Sequence, residues 1–202
     1  MAAGDEMWGW VPPEAPEATL GCLGEPGSLT ERLIGSGKDF AVELLFLGDG
    51  AAHPDEAAPV GALPGDSLTV RHVALTLDGA TVVVARSYCR PGCPVWVPIL
   101  DRGGRSLGFT LFSGEVALAR GALEFTVVAA GHPLYELARM RAPGVARLAA
   151  RRCRFELDGA PLVVCEVFLP ELERQLGGIP QRAGLEPVPE TRVSSAASRR
   201  GG

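Results

Sequence analysis

Two Asp-Gly pairs, at 78–79 and 158–159, each separate two runs of apolar, strand-forming residues. Asp-Gly favours a two-residue hairpin turn, because that turn needs positive φ angles that glycine and aspartate accept. The sequence therefore predicts two antiparallel hairpins, over 68–88 and 151–169. A tight turn fixes which residues of the two strands face each other, so the buried face of each hairpin can be predicted as well.

In the first hairpin, we expect Leu77 to face Ala80 and Arg71 to face Arg86. Alternate residues of a strand point to the same side of a sheet, so these facing pairs share one face. The pairs between them are Leu75 with Val82 and Val73 with Val84. Since all of these side chains except the arginines are apolar, we expect this face to be buried and to end in two adjacent arginines.

In the second hairpin, the same rule places Arg151 opposite Glu166. Glu166 lies in the run 163–169, where both faces of the strand are apolar, so its carboxylate is expected to be buried or to line a cavity. The pairs nearer the turn are Leu157 with Ala160, Phe155 with Leu162, and Cys153 with Val164. The polar side chains on the other face of the first strand are expected to be solvated: Arg152, Arg154 and Glu156.

A chain of 202 residues is near the usual size of one domain. Residues 1–27 are rich in proline and are expected to form an irregular N-terminal arm, with one tryptophan, Trp8 or Trp10, docked on the domain. The domain itself is assigned to 28–177. Residues 178–202 have no hydrophobic periodicity and are expected to be a disordered tail.

Other elements follow from local signals within that domain. Ser28 followed by Glu31 predicts the start of a short helix, with Ser28 as the N-cap. The remaining predictions are strands over 40–47, 109–112 and 123–128, a turn at 48–50, a loop up to residue 64 and a helix over 133–141.

The charge balance excludes some partners. The chain carries 24 acidic and 19 basic residues, mixed along the sequence, with a formal net charge of −5. That distribution offers no basic surface for a nucleic acid, which is not an expected partner. No apolar run reaches the roughly 20 residues that cross a bilayer, and Asp5 and Glu6 stand where an export leader would be basic. We therefore expect a cytoplasmic protein with no membrane contact.

The five cysteines are an odd number in a chain without an export signal, so a disulfide framework is not predicted. Cys89 and Cys93 are spaced closely enough to begin a zinc site. Such a site needs two more ligands, however, and His53, His72 and His132 are isolated in the sequence. We therefore expect no metal, and interpret the cysteine segment as a turn with two free thiols.

Two arginines side by side on an apolar face repel each other and cannot lose their protons, so such a pair needs anions nearby. A ligand with carboxylate groups would supply them, and Glu166 would lie at the other end of the same cavity. Two other interpretations stay open: protein carboxylates pair with Arg71 and Arg86, and Glu166 forms a structural ion pair with Arg151. The chain has no Gly-x-Ser-x-Gly elbow and no P-loop, which predicts chemistry without a cofactor.

The sequence resembles the chorismate lyase family at motifs that follow the family's order from residue 28 to residue 170. These motifs are Ser28-Leu29-Thr30, Val70-Arg71-His72-Val73, Val84-Ala85-Arg86-Ser87, the run from Arg105 to Phe112, Arg151-Arg152-Cys153, and the run from Gly159 to Pro170. Any one of them alone would be weak, but together and in this order they are specific.

This resemblance implies an α+β fold, with a single antiparallel sheet of about six strands and short peripheral helices that form flaps over an internal cavity. It also implies that Arg71 and Glu166 hold an aromatic product at its two ends, while the backbone amides of Leu29 and Leu107 add hydrogen bonds. Arg86 matches a second family arginine on the route of the substrate. The implied reaction eliminates pyruvate from chorismate and leaves 4-hydroxybenzoate, for quinone or specialised metabolism.

Our hypothesis for the roles is that Arg71 anchors the ring carboxylate, Arg86 anchors the enolpyruvyl carboxylate, and Glu166 orients the C4 oxygen. Two other functions stay open. Departures from the family pattern, such as His72 in place of an acidic residue, fit a tailoring enzyme that acts on another cyclic carboxylate. The effector domains of one class of bacterial repressors share the family fold, although 1–27 is too short and too proline-rich for their DNA-binding segment. In each case we expect a monomer that binds a small carboxylate.

Overall fold

The computed structural model describes residues 7–112 and 118–178. Its strands are β1 (Phe40–Ala51), β2 (Ser67–Leu77), β3 (Ala80–Cys89), β4 (Ala119–Ala129), β5 (Arg147–Leu157) and β6 (Ala160–Phe168). They form one antiparallel sheet in the order β1-β2-β3-β6-β5-β4. The two hairpins therefore meet at the centre of the sheet, where β3 pairs with β6.

Seven short α-helices surround this sheet within the described residues, and a 3-10 helix at Ala58–Val60 follows the third of them. The α-helices are α1 (Glu17–Leu23), α2 (Leu29–Ile34), α3 (Pro54–Ala57), α4 (Val97–Leu100), α5 (Leu107–Phe112), α6 (Pro133–Arg139) and α7 (Pro170–Leu176). The predicted N-cap of α2 is confirmed, because the Ser28 hydroxyl accepts a hydrogen bond from the backbone N–H of Glu31 at 3.3 Å. No helix in these ranges is long and apolar enough to cross a bilayer. The α+β class and the single antiparallel sheet are confirmed.

Helices cover both faces of the sheet. On one face, α6 packs with Val70, Val84 and Val167 in a core that also includes Trp8. On the other face, α1, α2 and α7 pack with Val73 and Leu75. The strands alternate between these two cores, so a residue's parity along its strand decides which core it joins.

Both Asp-Gly turns are present, with positive φ angles at Asp78 (48°) and Asp158 (51°) and at the glycine that follows each. The predicted register of the second hairpin is confirmed over its whole length, including Arg151 opposite Glu166. The predicted register of the first hairpin holds only next to its turn, where Leu77 faces Ala80.

A β-bulge shifts the first hairpin by one residue. Thr76 pairs with Thr81, but Leu75 pairs with Val83, so Val82 is an extra residue in β3. One inserted residue moves the following side chains of that strand to the opposite face relative to β2. The prediction that Arg71 faces Arg86 is therefore wrong. Arg71 faces Ser87, and Arg86 faces His72.

Several local predictions also need correction. The N-terminal arm is not wholly irregular, because it contains α1, and Trp8 rather than Trp10 is docked, with exposed fractions of 7% and 69%. The predicted turn at 48–50 continues β1, and the predicted strand at 109–112 is part of α5. The predicted tail lies outside the described residues except for Gly178.

Arg152 was expected to be solvated and is instead buried. The N-terminal arm covers Arg152, since the guanidinium of Arg152 lies 4.7 Å from the ring centroid of Trp8. The same guanidinium forms an ion pair with Glu124 of β4. Arg154, predicted to be solvated with it, is exposed. The difference arises because the arm covers only part of this face of β5.

Candidate active site

A cavity lies between the central strands and the first turns of α2 and α5. Its apolar wall includes Leu29, Val73, Leu75, Leu107 and Leu123. Its polar side chains include Thr30, Arg71, Ser106, Arg120, Arg151 and Glu166. The expected combination of an arginine and a glutamate in one largely apolar pocket is thus present, with the two helices above it.

Arg71 reaches this cavity from β2 and is 3% exposed. Its Nη2 donates hydrogen bonds to the carbonyl oxygens of Gly103 and Arg105, each at 2.9 Å, so the glycine-rich loop fixes the guanidinium. Its Nε is buried and has no hydrogen-bond partner among the described residues. Burial lowers the pKa of Arg71, but arginine keeps its charge at any physiological pH. The site therefore contains a fixed cation, and one of its N–H groups is unpaired within the described part of the chain.

Glu166 reaches the same cavity from β6, and its side chain is 16% exposed. Its Oε2 accepts a hydrogen bond from the Nε of Arg151 at 2.5 Å, which is the ion pair that one sequence interpretation left open. The Nη1 of Arg151 donates to the carbonyl oxygens of Cys22, Leu23 and Glu25, at 2.8, 3.1 and 3.0 Å. Pairing with Arg151 thus does not remove Glu166 from the cavity. It sets the carboxylate's position through Oε2, while Glu166 still lines the cavity.

Leu29 and Leu107 both line the cavity as the first residues of α2 and α5. The N–H groups in the first turn of a helix have no acceptor within that helix. The two helix starts are held together by a hydrogen bond of 2.6 Å between the hydroxyls of Thr30 and Ser106. A Cβ at Gly108 would lie 2.5 Å from the Thr30 hydroxyl, so only glycine allows this close approach.

Arg86 does not line the cavity, which corrects its sequence assignment. The bulge turns it to the opposite face of the sheet, where it is 6% exposed. Its Nε and Nη2 donate to the two carboxylate oxygens of Glu56 at 2.6 and 2.9 Å, and its Nη1 contacts His72 Nε2 at 2.8 Å. For Arg86, the interpretation that a protein carboxylate pairs with the arginine is the correct one.

His72 lies beside Arg86 on that opposite face. Burial, and then the positive charge of Arg86, lower the pKa of His72 to about 4. The ring is therefore neutral near pH 7, and its Nε2 accepts the hydrogen bond from Arg86. His72 is thus a structural partner of Arg86 and not a group of the cavity.

Arg120 is a cavity residue that the sequence interpretation missed. Its guanidinium lies 5.0 Å from the ring centroid of Phe112 and 5.9 Å from that of Phe155, and its Nη1 donates to the carbonyl oxygen of Pro26. Its Nε is buried without a partner among the described residues. No motif points to Arg120, since its position depends on a second bulge, between Arg120 and Leu123 in β4.

A second polar cluster lies on the opposite face of the sheet, away from the cavity. Asp55 accepts hydrogen bonds from Trp8 Nε1 at 2.7 Å and from His132 Nε2 at 3.3 Å, and it also contacts His53 Nδ1. Burial alone would raise the pKa of Asp55, but these hydrogen bonds outweigh burial and hold its pKa well below the usual value. His53 and His132 are isolated in the sequence but not in the fold, where their ring centroids are 4.8 Å apart.

Two histidines and a carboxylate are a donor set that can hold a metal ion, and their ligand atoms lie within 4.8 Å of one another. However, His132 Nδ1 accepts a hydrogen bond from the backbone N–H of Leu134 at 3.2 Å. The neutral ring then carries its proton on Nε2, the atom that faces Asp55, and offers no lone pair there to a cation. We therefore interpret this cluster as structural: its hydrogen bonds attach Trp8 and α3 to the sheet.

Comparison with known proteins shows to which family this chain belongs. The family model described as chorismate lyase matches residues 10–177. The chain belongs to the chorismate lyase family. The match begins within the proline-rich arm, which agrees with the anchoring of Arg151 by carbonyls at the end of α1.

Relatives in the chorismate lyase family cover most of the chain. A protein named probable chorismate pyruvate-lyase from Thiobacillus denitrificans is 41% identical over 174 residues, which are 82% of this chain and 91% of that protein. A probable chorismate pyruvate-lyase 1 from Burkholderia pseudomallei is 34% identical over 167 residues, which are 81% of this chain and 90% of that protein. These relatives indicate that the chain is a lyase.

Among solved structures, the effector domain of PhnF from Mycobacterium smegmatis is similar, with a TM-score of 0.52 and 16% identity. The match covers 72% of this chain and 90% of that domain. At 16% identity, this similarity shows only that the chain and the effector domain share a fold.

Proposed function

We propose that this chain is a chorismate pyruvate-lyase, a carbon–oxygen lyase that converts chorismate to 4-hydroxybenzoate and pyruvate. The observation that carries the proposal is the buried Nε of Arg71, which has no partner among the described residues and shares a cavity with Glu166. An unpaired buried donor is costly, so a cavity that contains one is suited to a ligand with an acceptor. A ring carboxylate is such an acceptor.

In this proposal Arg71 binds the ring carboxylate, and the backbone amides of Leu29 and Leu107 add hydrogen bonds. Glu166, held by Arg151 through the bond of 2.5 Å, orients the hydroxyl on C4 at the other end of the ring. A ligand fixed at both ends loses its freedom to rotate before the reaction starts, which lowers the entropic barrier. Fixed charges also stabilise the charge that develops as the ether bond breaks.

The elimination balances without an oxidant or reductant. The bond between C3 and the ether oxygen breaks, the C4 hydrogen is lost as a proton, and the enolpyruvyl group becomes pyruvate once its methylene carbon gains a proton. The ring becomes aromatic, which drives the reaction. The residues of the cavity are therefore required to bind, orient and exclude water, and no cofactor step is part of the proposal.

Incubation of the purified protein with chorismate tests the proposal. Pyruvate is followed with lactate dehydrogenase and NADH, and 4-hydroxybenzoate by chromatography. We expect the two products in equal amounts and well above the uncatalysed rate. Tight binding of hydroxybenzoates with no pyruvate release would contradict the proposal and favour a non-catalytic binding protein.

The proposal includes a cytoplasmic monomer whose partner is this small cyclic carboxylate. Light scattering after size-exclusion chromatography tests the monomer, which is expected at 21.1 kDa. A mass of twice that value at micromolar concentration would contradict it.

A further inference from the structure

The charges of the cavity are not balanced by the protein groups described around it. Three arginines line the cavity, Arg71, Arg120 and Arg151, but Glu166 is the one carboxylate among its described lining residues. Glu166 is paired with Arg151. Among the described lining residues two positive charges therefore remain, which suits a ligand with two negative charges rather than one.

The hydrogen-bond donors give the same result independently. Within the described ranges, two arginine nitrogens are buried without a hydrogen-bond partner, Arg71 Nε and Arg120 Nε, and both arginines line this cavity. Buried donors are nearly always satisfied by the protein, water or a ligand. Two unsatisfied guanidinium donors in one pocket therefore point to two separate acceptors.

Arg120 is held in place for such a role. The carbonyl of Pro26 accepts from its Nη1, and the rings of Phe112 and Phe155 lie within 6 Å of its guanidinium carbon. The neighbouring Cys153 does not neutralise Arg120, since burial raises the pKa of this thiol even though Arg120 acts to lower it. The thiol thus stays neutral, and among the described residues no carboxylate forms an ion pair with Arg120.

We propose that Arg120 binds the second carboxylate of a dicarboxylate substrate, while Arg71 binds the ring carboxylate. The inference rests on the proposed function and deepens it. Chorismate has a carboxylate on its ring and another on its enolpyruvyl group, and the second one leaves with pyruvate. Arg120 therefore distinguishes the dicarboxylate substrate from the monocarboxylate aromatic product. It takes the role that the sequence had assigned to Arg86, whose donors are occupied by Glu56 and His72.

A pair of unreactive ligands tests this role without turnover. 3-Carboxymethoxy-4-hydroxybenzoate carries two carboxylates in the arrangement of chorismate, and 4-hydroxy-3-methoxybenzoate lacks the second. Calorimetric titration of the parent protein should show a preference of about tenfold or more for the dicarboxylate, as one charge-assisted contact provides. In Arg120→Gln the preference should disappear, while the Kd of the monocarboxylate stays within about twofold.

Two further variants separate the roles. Arg71→Gln should weaken both ligands, because both carry the ring carboxylate. Arg139→Gln should change neither, since Arg139 is an exposed residue of α6 that pairs with Glu136. If Arg120→Gln does not fold, as judged by circular dichroism, Arg120→Lys keeps the charge without the planar fork and should retain only part of the preference.

The outcomes distinguish this inference from the proposed function. A parent protein with no preference for the dicarboxylate, or an Arg120→Gln protein that keeps the full preference, would overturn the role of Arg120. A protein that prefers the dicarboxylate but releases no pyruvate from chorismate would overturn the activity while the inference stands. With an active parent, Arg120→Gln should raise the KM for chorismate without changing the inhibition constant of 4-hydroxybenzoate.

Discussion

Arg151 donates its Nε–H to the Oε2 of Glu166 at 2.5 Å, across the adjacent strands β5 and β6. The same guanidinium is tied through Nη1 to three carbonyl oxygens at the end of α1 and just beyond it. The N-terminal helix therefore determines, through one buried side chain, where a cavity carboxylate lies. In this protein the arm is part of the support of the site.

Removal of Arg151 should be strongly destabilising. Arg151→Gln leaves a largely buried carboxylate and three carbonyls without their cation, and breaking one side of a buried pair typically costs about 3 to 5 kcal/mol. We expect a loss of that size in the free energy of unfolding, measured by urea titration. Arg174→Gln is the control, because Arg174 is 71% exposed and its pair with Glu171 should contribute less than about 1 kcal/mol. Equal stability of the two variants would refute the support role.

Arg71 and Glu166 should be the residues on which turnover depends most. Arg71→Ala and Glu166→Gln should each lower kcat/KM for chorismate by about 10² to 10³, the effect of removing one fixed donor or charge at a reacting centre. The rate of pyruvate release measures this, with Arg139→Ala as an exposed control. Release at the parent rate by either cavity variant would show that the site is wrongly assigned.

Arg86 should matter for stability and not for binding. Arg86→Ala leaves Glu56, which is 1% exposed, as an unpaired buried carboxylate, so we expect a loss of about 3 to 5 kcal/mol in the free energy of unfolding. At a temperature where the variant is folded, its Kd for 4-hydroxybenzoate should stay within about twofold of the parent value. If the variant kept its full stability but no longer bound 4-hydroxybenzoate, Arg86 would instead be a residue of the binding site.

His72 should make the protein less stable in mild acid. Its pKa is lowered to about 4 in the folded protein, by burial and by Arg86, whereas the ordinary value is 6.5. Between these pH values the unfolded chain binds more protons, so stability falls as the pH is lowered from 6.5 toward 4. The contribution of His72 to that loss is on the order of 1 to 3 kcal/mol, because partial exposure screens the interaction.

His72→Gln removes this titration while its amide oxygen can still accept from Arg86. Unfolding measured from pH 7 to pH 4 should show a smaller loss of stability for the variant than for the parent. Parallel pH profiles for the two proteins would mean that His72 is not held neutral in the fold.

The second hairpin could be predicted residue by residue, because its turn chemistry and its apolar alternation agree and no bulge intervenes. The first hairpin could not, since the extra residue Val82 has no signature in a strand of valines. That single bulge moved Arg86 out of the site. The residues that the resemblance named as ligand contacts, Arg71, Glu166, Leu29 and Leu107, line one cavity, and their roles stay predictions. The error for Arg86 came from the predicted hairpin register, which placed it beside Arg71.

Long-range contacts explain what else was missed. Arg120 enters the cavity because β4 is bulged and because Pro26, 94 residues earlier in the chain, accepts from its guanidinium. Asp55 meets Trp8 and His132, which are 47 and 77 residues away in sequence. The hydrophobic periodicity of a segment cannot predict these long-range contacts, because they depend on how the loops cross the sheet.

A crystal structure of the protein with bound 4-hydroxybenzoate tests the central claim most directly. The account predicts the ligand between the sheet and the first turns of α2 and α5, with its carboxylate on Arg71 Nε and its hydroxyl on Glu166. A ligand bound elsewhere, or bound in this cavity without touching either side chain, would contradict the account.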